Sequence, residues 1–108
     1  MSIFDEAIEV AKNGKRFIVI THVNPEGDAL GSMLGLTLAL RDAGKEVFAF
    51  TEEGAPEPYG FLPGMDTAVH TLKDIDNIDA TFATDCGQLS RLGEEYENFE
   101  GKGTIVNL

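Results

Sequence analysis

The stretch "THVNPEGDALGS", residues 21–32, sets His22, Glu26 and Asp28 around Pro25 and Gly27, directly after the apolar run "FIVI". An imidazole and two carboxylates crowded onto one turn are donors for a divalent cation. Clustered carboxylates repel one another and resist ionisation unless a cation sits among them. A mixed nitrogen and carboxylate set suits Mn, Mg, Fe or Zn better than a soft metal. Pro25 and Gly27 exclude regular structure from the turn and fix a sharp path that aims successive side chains at one point. A further acid, Asp85, closes a second apolar run, "ATFAT". Ligands of open parallel sheets collect beyond the carboxyl ends of the strands, so neighbouring strands would bring Asp85 to the same place.

The elements that must carry these residues follow from pattern. Ile3, Phe4, Ala7, Ile8 and Ala11 fall at helical spacing, with Gly14 as a stop. "RFIVITH" reads as a buried strand, continuously apolar and β-branched. "DALGSMLGLTLALRD" reads as a helix from Asp28 to about Asp42, capped by Gly44. Gly31 and Gly35 share one face of it, which predicts a close approach to a neighbouring backbone. "KEVFAFT", "ATFATD" and "GTIVNL" read as strands, "TAVHTL" as a short one, "EEGAPEPYGFLPG" as a loop, and "GQLSRLGEEYENF" as a turn and then a helix. Apolar strands alternating with helices predict an α/β fold with a mainly parallel sheet.

Composition bounds the function. A chain of 108 residues, 43% apolar and 25% charged, fits one ordinary globular domain with a modest core. The net charge of -11 argues against gripping long nucleic acid by its phosphates. It leaves small anionic substrates open, because bound divalent metals invert the local field. Cys86 is the single cysteine, so no internal disulfide forms, as expected of a reducing cytoplasm. "MSIFDEAIEVAKNGKRF" does not read as a signal peptide, and no run is long enough to span a membrane. No glycine-rich phosphate loop of the dinucleotide or P-loop type is present.

"THVNPEGDALGS" resembles the first motif of the DHH phosphoesterase superfamily, His-x-x-Pro-Asp-x-Asp-Ala-x-Gly-Ser after a strand. "ATDCGQLSRLG" is similar to its second motif, an Asp closing a strand and followed by Arg-Leu-Gly, and "PYGFLPG" resembles the segment between them. Order and spacing agree over essentially the whole chain. The resemblance implies a parallel-sheet, Rossmann-like half of a DHH domain, with residues 1–108 as its N-terminal portion and the C-terminal substrate-binding domain absent. It also implies a two-metal site, usually manganese, with Mg2+ or no metal as the alternatives for this portion. His22, Glu26 and Asp85 match the ligands of one metal, and Asp28 and Asp85 those of the second, Asp85 bridging. Such a pair, typically about 3.5–4 Å apart, lowers the pKa of a bridging water and holds the leaving oxygen during in-line attack on phosphorus. The chain departs from the pattern twice. Glu26 stands where the family has Asp, and the chain stops at Leu108, where the family continues into Asp-His-His and a later acidic ligand.

Each residue also has a plainer reading. Asp28 alone is an N-cap, and His22 alone a loop histidine. Together with Asp85 they read as ligands, while Glu26 reads equally as a ligand or a solvated loop acid. Arg91 reads as a substrate-phosphate contact or a structural ion pair. Ser32 reads as an anion contact at a helix N-terminus or as packing. Phe48, Phe50, Phe82 and Phe99 read as core, and the acids of "GEEYENFE" as a solvated face. The expected function is a metal-dependent phosphoesterase, cytoplasmic, acting on short oligoribonucleotides or 3',5'-bisphosphonucleotides, with this portion alone an inactive fragment. The alternative is a non-catalytic binding or dimerisation module that covers an exposed strand edge and apolar face by homo-oligomerisation.

Overall fold

The computed structural model describes residues 3–21, 27–51, 63–69, 71–84 and 93–108. Helix α1 (Ile3–Asn13) leads into strand β1 (Arg16–Thr21), and helix α2 (Gly27–Asp42) into β2 (Glu46–Phe50). A 3-10 turn at Met65–Thr67 follows, then β3 (Ala80–Thr84), the short helix α3 (Glu94–Asn98) and β4 (Thr104–Asn107). The strands form one sheet in the order β2-β1-β3-β4, every neighbouring pair parallel. The fold is the expected α/β class.

Strands that are apolar throughout need cover on both faces, and β1 shows how the sequence provides it. Phe17 and Val19 join Leu30, Met33, Val47 and Phe82 in a core roofed by α1 and α2. Ile18 and Ile20 point the other way, into a second core with Phe50, Leu72, Ala83 and Tyr96. The rings of Phe17 and Phe82 meet edge to face, centroids 5.4 Å apart at 71°. Phe50 and Phe82 are fully buried, and Phe48 and Phe99 pack at the margin of the second core.

Four local expectations change in the folded chain. Among the described side chains the inward stripe of α1 is Ala7, Val10 and Ala11, while Ile8 is 54% exposed, because only one side of the helix meets the sheet; the side chains of Ile3 and Phe4 lie outside the described ones. Gly31 and Gly35 lie on the outer face of α2, with no described atom within 4 Å of a Cβ built on either. The helix buries Leu30, Met33, Leu34, Thr37 and Leu40 instead. "TAVHTL" supplies a single bridge, Val69 to Phe50, and not a strand; His70 lies outside the described residues. Glu95 is not a solvated acid. It is half-buried, and its carboxylate accepts the N–H of Leu72, tying α3 to the segment before β3.

The amino edge of the sheet is sewn together by polar contacts. Asp79 Oδ2 accepts the backbone N–H groups of Lys15 (2.7 Å) and Arg16 (3.0 Å), joining the start of β3 to the start of β1. Arg16 Nη1 reaches Glu46 on β2 at 2.6 Å, an exposed pair of small worth. These two N–H bonds hold the Asp79 carboxyl below the usual carboxylate range, with Lys15 and Arg16 charges adding to the effect. A depressed folded pKa stabilises the native state above the unfolded value and loses that contribution as pH falls through the folded one. Asp79→Asn is therefore expected to melt lower than wild type at pH 7. The two melting curves should converge as pH falls below the ordinary carboxylate value of about 4 and on through the lowered native one. Parallel curves over that range would remove the charge from the account.

Candidate functional site

The opposite edge, where the strands end, is built differently. β1 and β3 are adjacent, with Thr21 directly beside Thr84 in register. The Thr21 hydroxyl donates to the Thr84 carbonyl at 2.8 Å, and the Thr84 hydroxyl donates to the Ile20 carbonyl at 3.4 Å. Both side chains are buried. These reciprocal bonds fix the two backbones one residue before His22 and one residue before Asp85. The order β2-β1-β3-β4 also makes the β1/β3 boundary the point where the connections leave in opposite directions. Such switch points form the crevice in which open α/β sheets bind ligands.

Two polar atoms flank that boundary. Thr51 follows β2, its N–H donating to Val69 O at 3.1 Å, and Asn107 closes β4 beside Ala83. Thr51 Oγ1 and Asn107 Oδ1 are both buried and have no hydrogen-bond partner among the described residues. Leaving such an atom unsatisfied costs about 1–3 kcal/mol, which a fold tolerates where something else uses the atom. The sequence carries a trace of this arrangement: the runs "FIVIT", "VFAFT", "TFAT" and "TIVN" each end on a polar residue. None of those four stands out as a site residue until the register aligns them.

His22, Glu26, Asp85 and Arg91 lie outside the described residues, as does the side chain of Asp28, whose backbone forms part of the first turn of α2. Cys86 lies outside them too, and Ser32 is exposed on α2. Among the described residues no three His, Cys, Asp or Glu side chains gather where they could hold a metal ion. The fit of a metal pair therefore rests on the edge itself. Both candidate segments leave adjacent strand ends, their donors are one imidazole and three carboxylates, and unpaired buried oxygens stand on either side. Hard or borderline divalent ions suit that set.

A parallel α/β sheet with a switch point between β1 and β3 defines a class of protein that binds its ligand beyond the strand ends. No family model matches the chain. The chain is 34% identical over 82 residues to the bifunctional oligoribonuclease and PAP phosphatase NrnA of Thermus thermophilus, a match over 75% of this chain and 25% of that protein. It therefore spans about a quarter of the length of that relative. An exopolyphosphatase-related protein from Bacteroides fragilis superposes with a TM-score of 0.82 at 22% identity, over 97% of this chain and 33% of that one, and shows the same fold. The sequence similarity and the shared fold support reading the chain as the N-terminal part of a DHH-type phosphoesterase.

Proposed function

We propose that the chain supplies the first half of a two-metal phosphoesterase site. His22, Glu26 and Asp85 hold one manganese ion, or magnesium in its place, and Asp28 and Asp85 hold the second. The bound pair supplies an activated water and a clamp on the leaving oxygen. The observation that supports this reading is the Thr21–Thr84 pairing, which makes neighbours of the two strand ends that precede His22 and Asp85 in sequence. The chain's own part is positional. The buried threonine bonds fix the ends of β1 and β3, and five residues separate β1 from the 16-residue helix α2, a short link that supports reading Asp28 and His22 as partners.

The substrate we propose is a short oligoribonucleotide or a 3',5'-bisphosphonucleotide, on the strength of the similarity to NrnA. The charge of -11 disfavours long nucleic acid, and bound metals would offset it for a small anion. Four donor side chains leave two metals under-coordinated, so we expect this chain by itself to bind metal without turning over. Among the described residues no helix is long and apolar enough to cross a membrane. We place the protein in the cytoplasm on its single cysteine. Manganese binding that depends on Asp28 and Asp85 is the experiment that tests the reading.

A second reading rests on β4, which ends the described sheet with Ile105 and Leu108 each 41% exposed. An apolar edge of that kind pairs with another strand, so a binding or dimerisation module is the alternative, and it predicts dimers in solution with no metal dependence.

A further inference from the structure

Five threonines are buried in the described residues: Thr21, Thr37, Thr51, Thr81 and Thr84. Four of them spend their hydroxyl inside the fold. Thr21 and Thr84 bridge β1 and β3, Thr37 donates to Met33 O at 2.8 Å, and Thr81 donates to Lys102 O at 2.9 Å. Thr51 is equally enclosed, 6% exposed, yet its Oγ1 has no partner among the described residues. Its direction follows from strand alternation. Ala49 lies in the core under α2 and Phe50 in the opposite core, so Thr51 returns to the α2 side.

The amino end of α2 lies at that same edge. Its far end is tied to the other edge, where Arg41 Nη2 donates to Val47 O at 2.8 Å near the start of β2, and Lys45 Nζ donates to Gly14 O at 2.8 Å. A helix anchored there runs back over the strands and opens at their carboxyl ends. The N–H groups of its first turn have no partner within the helix and carry a partial positive charge. An unpaired buried hydroxyl and a helix N-terminus thus lie on the same face and at the same edge of the sheet.

We propose that Thr51 and the first turn of α2 form a phosphoryl-binding subsite, the threonine hydroxyl donating to a non-bridging oxygen of the substrate's phosphate. The inference rests on the phosphoesterase reading for the identity of its ligand, and it names a residue on β2 that neither sequence motif contains. Anion binding at a helix N-terminus needs no special fold. The chain's net charge of -11 works against anion binding, so the subsite works best with divalent metal present.

The test uses the full chain with inorganic phosphate as the probe, in thermal melts with and without manganese. Wild type and Thr51→Ser are expected to melt higher as phosphate is added. Thr51→Val, which keeps the shape and removes the donor, is expected to bind phosphate about tenfold or more weakly, the scale of a hydrogen bond to a charged group. Its melting temperature without phosphate should equal or exceed that of wild type, because an unpaired buried hydroxyl contributes nothing to the empty fold. The proposal is overturned if phosphate raises the melting temperature of all three chains equally, or of none. It is overturned as well if Thr51→Val melts lower without phosphate, since the hydroxyl is then structural. Manganese titration of the same variants separates the two claims. If no chain binds manganese, the metal reading fails, and the metal-free phosphate comparison decides the role of Thr51.

Discussion

Gly103→Ala is expected to destabilise the fold by about 3 kcal/mol, the sum of a left-handed backbone and a steric clash. Gly103 has φ +68 and leads into β4. A Cβ there would lie 2.5 Å from the carbonyl carbon and oxygen of Asp79 and 2.6 Å from the carbonyl oxygen of Ile78. Those atoms are backbone and cannot swing away as a side-chain tip can. They also carry the bond that starts the β3–β4 ladder, Thr104 N–H to Asp79 O at 3.1 Å, and Asp79 is the residue that joins β3 to β1. Pushing the chain apart here loosens two strand junctions at once. Gly44→Ala is the internal control. Its φ is +85 but no described atom lies within 4 Å of the new Cβ, so it should cost only about 1 kcal/mol, the conformational part alone. Urea unfolding of both variants checks the difference; equal losses would remove the clash from the account.

The second large effect is at Phe17. Its side chain is wholly buried, meets Phe82 edge to face, and lies against the bare α-carbon of Gly14, where a Cβ would come within 2.6 Å of the ring. The glycine that ends α1 also makes room for the first aromatic of β1. Phe17→Ala leaves a cavity between α1, β1 and β3 and should cost about 3–5 kcal/mol. Small domains have about 5–15 kcal/mol in all, so the variant should be substantially unfolded near 37 °C. A midpoint shift in urea equivalent to less than about 1 kcal/mol would mean that the ring's site collapses freely.

What the sequence shows plainly is what local physics decides. "RFIVIT" and "TFAT" are β-branched and apolar enough to be strands wherever they are placed, and Gly44 ends α2 through bonds within that one turn, its N–H reaching Arg41 O at 2.9 Å. The exposure of Ile8, the open face at Gly31 and Gly35, and the capture of Glu95 by Leu72 depend on which neighbour arrives, and no periodicity carries that. The same division runs through the site. The proposed donors His22, Glu26, Asp28 and Asp85 are read from residue type and from their places after two apolar runs. That β1 lies next to β3 and not merely next to β2 is a matter of strand order. Strand order is set by crossover and packing, beyond the reach of any single segment. Thr21, Thr51 and Thr84 become meaningful only once that order puts them in one row.

The most direct test of the central claim is manganese calorimetry on the purified chain, beside Asp28→Ala and Asp85→Ala. The account predicts saturable binding in the wild type that is lost in both variants while their melting temperatures stay close to wild type, because two residues far apart in sequence then serve one site. Absence of binding, or binding indifferent to both substitutions, would contradict it and leave an α/β scaffold whose strand ends do not assemble a metal centre.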